Sequence, residues 1–171
     1  MASAVWQLPN FSKGNYLLKN LVNGWQTTGI LTLQKGVPFT VVSGVDNSQS
    51  GVGEDHADIV GNPYISHPSK AAEVAEYFNT KAYTVNALGT FGDSGRNSLI
   101  GPGIEDLDYS VSKTLYASDR VQTLFRAEAF NLFNHTNLGN PVSNVSSATF
   151  GQINNLNGAP RVLQFALRLE F

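Results

Sequence analysis

A chain of 171 residues is long enough for one domain with a sizeable core, and its 11 Lys+Arg against 13 Asp+Glu leave a net charge of -2. That balance excludes the basic footprint of a nucleic-acid binder, and the lack of cysteine excludes disulfides, thiolate metal sites and cysteine nucleophiles. Charged residues make up only 14% and hydrophobic residues 42%, a mixture suited to alternating strands with polar loops rather than to solvated helices rich in Glu and Lys.

Residues 1–9 lack the basic start and apolar run of a signal peptide. No stretch approaches the roughly 20 apolar residues of a membrane helix. By themselves these features would place the chain in the cytoplasm; the reading adopted is that an N-terminal part of a larger protein precedes it.

The first strand expected is short, residues 3–8, closed by Pro9. Next, Trp25, Thr27, Gly29, Leu31 and Leu33 alternate with Gln26, Thr28, Ile30, Thr32 and Gln34, Lys35-Gly36 suggests a tight turn, and residues 39–43 a returning strand. One helix is expected at residues 69–78, where Ser69 can cap and Ala71, Ala72, Val74 and Ala75 favour helix. In residues 106–116, Leu107, Tyr109, Val111 and Leu115 share a face that only Lys113 interrupts. Residues 120–131 set Val121, Thr123, Phe125, Ala127 and Ala129 against Gln122, Arg126 and Glu128, with Leu124 and Phe130 on the polar side. The terminal segment is the clearest: Leu163, Phe165, Leu167, Leu169 and Phe171 alternate with Gln164, Ala166, Arg168 and Glu170.

The count is about six strands. Their connections alternate between tight turns, at residues 35–37 and 117–119, and long polar stretches, at 44–104 and 133–160. Strands of about ten residues with this loop asymmetry fit an all-β, antiparallel up-and-down membrane barrel, its polar face lining the lumen and its apolar face meeting lipid. Six strands are an incomplete portion, since single-chain membrane barrels begin at eight. The same alternation also fits a soluble β-sandwich whose apolar faces meet between two sheets, that is, a carbohydrate-binding or adhesion module.

Four ordered segments carry a family resemblance. They are Gly24-Trp25 with Lys35-Gly36-Val37-Pro38-Phe39-Thr40; Gly89-Thr90-Phe91-Gly92 with Gly95-Arg96-Asn97 and Gly101-Pro102-Gly103; the run from Arg126 through Phe130-Asn131-Leu132-Phe133-Asn134 to His135; and Pro160-Arg161 with the strand ending in Phe171. The set resembles the C-terminal barrel region of TonB-dependent receptors, of the large type common in Acidobacteria that carries a carboxypeptidase-regulatory-like domain. The resemblance implies that residues 1–171 are the end of a 22-stranded barrel without its plug. It implies a parent protein in the bacterial outer membrane that takes up a siderophore, oligosaccharide or similar ligand. A fragment, a truncated reading frame and a remnant with its own role all remain open.

The resemblance also gives Phe171, with Leu169, Leu167 and Phe165, the role of the signal that outer-membrane assembly machinery reads by strand pairing. Its other implied partners are the remainder of the barrel, the plug and lipid, with self-association expected of the isolated piece. Arg126, Glu128, Arg168 and Glu170 fall on the polar face and are expected in the lumen, paired across neighbouring strands. No enzyme is expected, for want of a convergent catalytic set, and no cofactor. His56, His67 and His135 are far apart, and the Gly-rich stretch with Asp46, Asn47, Glu54, Asp55 and Asp58 lacks calcium-loop spacing, so a solvated loop is expected over weak calcium binding. Ser94-Gly95-Arg96-Asn97 and Gly101-Pro102-Gly103 lack a Gly-Lys-Ser/Thr and read as turns.

Overall fold

Five strands of alternating pattern make one antiparallel sheet in the computed structural model of the protein, which describes residues 1–11, 13–116 and 121–171. In chain order the elements are β1 (Ala2–Gln7), α1 (Tyr16–Val22), β2 (Trp25–Gln34), β3 (Pro38–Phe39), β4 (Asp58–Ile59), α2 (Lys70–Ala75), β5 (Tyr83–Thr84), β6 (Leu99–Ile100), β7 (Ile104–Tyr116), β8 (Gln122–Phe130) and β9 (Val162–Glu170). The large sheet has the order β1-β2-β7-β8-β9, with β1 and β9 as open edges. The chain divides into two units: one is Met1–Gln34, Ile104–Thr136 and Gly158–Phe171, and the other is Lys35–Gly103 with Asn137–Asn157.

The first unit keeps the all-β, up-and-down architecture expected from the sequence. The expected turn at 117–119 lies outside the described residues. The hairpin expected from 25–34 and 39–43 does not form: β2 pairs with β7 along its whole length and with β1 over residues 26–31, and the chain leaves the sheet at Gln34 to return at Ile104. The sixth strand shrinks to Pro38–Phe39, which pairs with Leu99–Ile100 in the second unit. Gly36 is the reason no tight turn is made there, since it is wedged against residue 101; a Cβ on it would stand 1.7 Å from the Gly101 carbonyl oxygen.

The second unit corrects the expectation of a solvated loop. Phe39, Val41, Ala57, Phe78, Ala82, Tyr83 and Leu99 form a buried cluster, and Phe78 meets Phe39, Tyr83 and Phe150 at centroid distances of 5.8, 5.7 and 5.2 Å. Such aromatic contacts give a core to a stretch with little regular structure. The helix within it is shorter than expected. Ser69 caps it by accepting from the Ala72 amide at 3.2 Å, but it stops at Ala75 because the Glu76 carboxylate turns to the Thr80 amide and hydroxyl while Phe78 is drawn into the core.

The helix α1 is additional to the sequence reading. Asn15 caps it by accepting from the Leu18 amide, and Gly24, at φ +76°, turns the chain from it into β2. A side chain at Gly24 would be strained by its backbone angle and would meet the Thr114 carbonyl at 2.7 Å.

Candidate functional site

Strand register decides what each face of the sheet presents, because directly opposed residues share a face. On one face Trp25, Thr27, Gly29 and Leu31 oppose Lys113, Val111, Tyr109 and Leu107. That face continues across β7–β8 and β8–β9, where Phe125 opposes both Lys113 and Leu167, and Ala127 opposes both Val111 and Phe165. It is one apolar surface over all five strands. On β9 its residues are largely exposed, Leu163 at 60%, Phe165 at 69%, Leu167 at 68% and Leu169 at 62%, which is not the covered face that a sandwich requires. Strand β2 has 10 residues, enough to cross a bilayer when tilted. Both tryptophans, Trp6 and Trp25, fall on this face near one end of the sheet, as the aromatic girdles of membrane barrels do.

The opposite face is polar. Gln26, Thr28 and Thr32 oppose Ser112, Ser110 and Asp106, and Ser110 and Ser112 oppose Glu128 and Arg126. The four charged residues expected there lie on it, but not in cross-strand pairs. Arg126 meets Glu128 at 3.7 Å and Arg168 meets Glu170 at 2.9 Å, each along its own strand. Register explains the difference: Arg126 opposes Ala166, Glu128 opposes Gln164, Arg168 opposes Leu124 and Glu170 opposes Gln122. Gln122 donates to the Glu170 carboxylate instead. Exposed pairs of this kind contribute about 0–1 kcal/mol, so they set the polarity of the face more than its stability.

The motifs dispersed in sequence meet in space. Pro38-Phe39 pairs with Leu99-Ile100, and the Asn97 amide donates to the Thr40 hydroxyl at 2.8 Å. In the run after β8, Asn131 and Asn134 both adopt positive φ, which Asn tolerates better than most residues. Asn131 is buried; its amide nitrogen donates to the His135 and Ala159 carbonyls, and its oxygen accepts from the His135 backbone. Asn134 accepts from the Arg161 backbone. These asparagines hold together the exit from β8 and the entry to β9. Nothing in the residue pattern alone separated that structural role from a ligand-binding one.

In the second unit the Asp46 carboxylate accepts from the backbone of Ser50 and Gly51, and Asp55 from the Ser48 backbone and the Asn86 side chain. Burial opposes ionisation of Asp55, but the hydrogen bonds from Ser48 and then Asn86 and Asn47 outweigh it and hold its carboxyl below the ordinary range. Hydrogen bonds from Thr80 do the same for Glu76. Both acids therefore organise backbone. His56 Nδ1 lies 2.6 Å from the Ser94 carbonyl and His67 Nε2 2.8 Å from the Glu76 carbonyl, and among the described residues no three potential ligands gather at one point. A cleft of about 280 Å³ is lined by Tyr64, His67, Glu73, Tyr77 and Ile100. Burial and the nearby Glu73 raise the Tyr77 hydroxyl above its usual range, so it stays protonated and donates to the Ile100 carbonyl.

Antiparallel strands of bilayer-crossing length, one apolar face that runs across the sheet and is largely exposed on β9, and one polar face define a membrane-spanning β-barrel protein, with the sheet here open. A family model described as an outer membrane beta barrel domain matches residues 1–164, and the chain belongs to that family. Its location is the outer membrane. No curated protein and no solved structure matches it.

Proposed function

We propose that the chain is the C-terminal part of a TonB-dependent receptor, an arc of a larger barrel that takes up a siderophore, oligosaccharide or similar ligand. The carrying observation is that both long excursions, residues 35–103 and 131–161, leave from the end of the sheet opposite to Glu170 and the C-terminus. With the C-terminus at the periplasmic side, those excursions face outward, where a receptor captures its ligand. The ordered motifs of the TonB-dependent family support the same reading. On it, β1 and β9 pair with the remaining strands, the polar face lines a plugged lumen, and Phe171 with Leu169, Leu167 and Phe165 is read by the assembly machinery. The chain has no catalytic role and needs no cofactor.

Antibody against residues 35–103 should detect, in native outer membranes, a protein much larger than 18.4 kDa that cross-links to TonB in living cells. Detection of an 18.4 kDa species alone, or of an assembled large protein that never cross-links to TonB, refutes the proposal.

A further inference from the structure

Helix α1 has an apolar side that is largely exposed among the described residues. At 100° per residue, Leu17, Leu21 and Leu18 fall within one arc, with Lys19, Asn20 and Tyr16 on the other side. The polar side is engaged: the Tyr16 hydroxyl and the Asn20 side chain both donate to the Tyr116 carbonyl, at 2.5 and 2.7 Å, and Asn20 accepts from the Tyr116 amide. The leucines are 75%, 51% and 65% exposed at 17, 18 and 21.

What fastens the C-terminal end of α1 is informative, because it comes from the apolar face of the sheet. Trp25 and Lys113 oppose one another on that face. The Trp25 indole donates to the Leu21 carbonyl at 3.1 Å, and the Lys113 ammonium donates to the Asn20 carbonyl at 2.7 Å and to the Asn23 carbonyl. Lys113 is only 4% exposed. Thus the one cation that interrupts the apolar face of β7 has its charge consumed by the orphan carbonyls of the helix end. The C-terminal end of α1 is therefore anchored from the face that meets lipid, at the level of the tryptophans that mark the interface.

We infer that α1 is an interfacial helix that seats Leu17, Leu18 and Leu21 at the boundary between headgroups and acyl chains, on the C-terminal side of the membrane. The occupant of this face is lipid, as for other amphipathic helices lying in the interface plane. This rests on the barrel reading, and the test separates the two.

These 171 residues hold no cysteine, so single Leu17→Cys, Leu21→Cys, Lys19→Cys and Leu167→Cys variants, made in full-length protein from which any cysteine outside them has been removed, can each carry an environment-sensitive fluorophore. None of these side chains is buried, which spares the fold. The full-length protein is purified from outer membranes and reconstituted in phosphatidylethanolamine and phosphatidylglycerol vesicles holding a nitroxide lipid, its nitroxide near either the headgroup or the chain terminus. Labels at 17 and 21 should lose more fluorescence to the shallow nitroxide than to the deep one, while the label at 19 is quenched by aqueous iodide. Labels at 17 and 21 that respond only to iodide, or to neither quencher because protein covers them, overturn the inference if the label at 167 still responds to the deep nitroxide. Failure at 167 as well overturns the barrel reading itself.

Discussion

Gln164 on β9 stands directly opposite Glu128 on β8, one step along the strand from Leu163 and Phe165 on the apolar face. That register supplies a matched pair of substitutions. Leu167→Arg puts a charge on the lipid side and should cost about 2–4 kcal/mol near mid-bilayer, whereas Gln164→Arg places the same side chain opposite an acid, where opposed charges contribute roughly 0.2–1 kcal/mol of stabilisation. Ala166→Arg is a poorer control, because it faces Arg126. Assembly in the outer membrane, measured as heat-modifiable protein, should fall sharply for Leu167→Arg and hold for Gln164→Arg. Equal loss for both would show that β9 does not present these faces to lipid and lumen.

The 171-residue chain made alone should not remain a monomer in plain buffer. Both β1 and β9 have an unpaired edge, and the apolar face is largely exposed on β9, which together invite edge pairing and hydrophobic association. Light scattering should show oligomers or aggregates that detergent disperses. A single sharp monomer peak with cooperative thermal unfolding contradicts the barrel arc.

Orientation can be read with a Glu-specific protease on intact cells. Residues 49–54 are exposed throughout, so cleavage is expected at Glu54. Cleavage at Glu54 that requires permeabilised outer membranes would invert the proposed sidedness.

The second unit should be acid-labile. Asp55 and Glu76 both have carboxyls held below their ordinary values, so each contributes stability that is fully present above the ordinary carboxylate range of about pH 4 and is lost as pH falls through the lowered folded-state value. Near-ultraviolet circular dichroism from the Phe78, Tyr83 and Phe150 cluster should weaken on acidification below about pH 4, and Asp55→Asn should weaken it already at neutral pH. A signal flat down to pH 2 in the unsubstituted protein would exclude these carboxylates as determinants.

The strands were legible in the sequence because the barrel wall obeys a period of two over ten residues at a time. Leu163 to Phe171 announces its faces without reference to anything else. The second unit has no such period: Val41, Ala57, Phe78 and Leu99 are buried by contacts across the chain, and no local spacing marks them. Residues 39–43 follow the same logic, since a short apolar run fits a barrel strand or a core segment equally well. Helix α1 escaped notice because seven residues carry barely two turns of pattern, although Asn15 as a cap and Leu17, Leu18 and Leu21 at helical spacing were there to be read. The pairing of Arg126 with Glu128 depended on register, which one residue of slip would have reversed.

The second unit is assembled from two excursions that the β7–β8 hairpin separates in the chain. Val42 bridges to both His56 and Asn144, the Ser146 hydroxyl donates to the Ser43 carbonyl, the Tyr77 amide donates to the Gly151 carbonyl, and Phe150 closes over Phe78. Neither excursion is therefore a replaceable part. Grafting residues 35–103 onto another barrel without 137–157 would leave Phe78 and Tyr83 uncovered, so any exchange of specificity between related proteins, in the laboratory or by recombination, has to move both segments and carry the intervening hairpin with them.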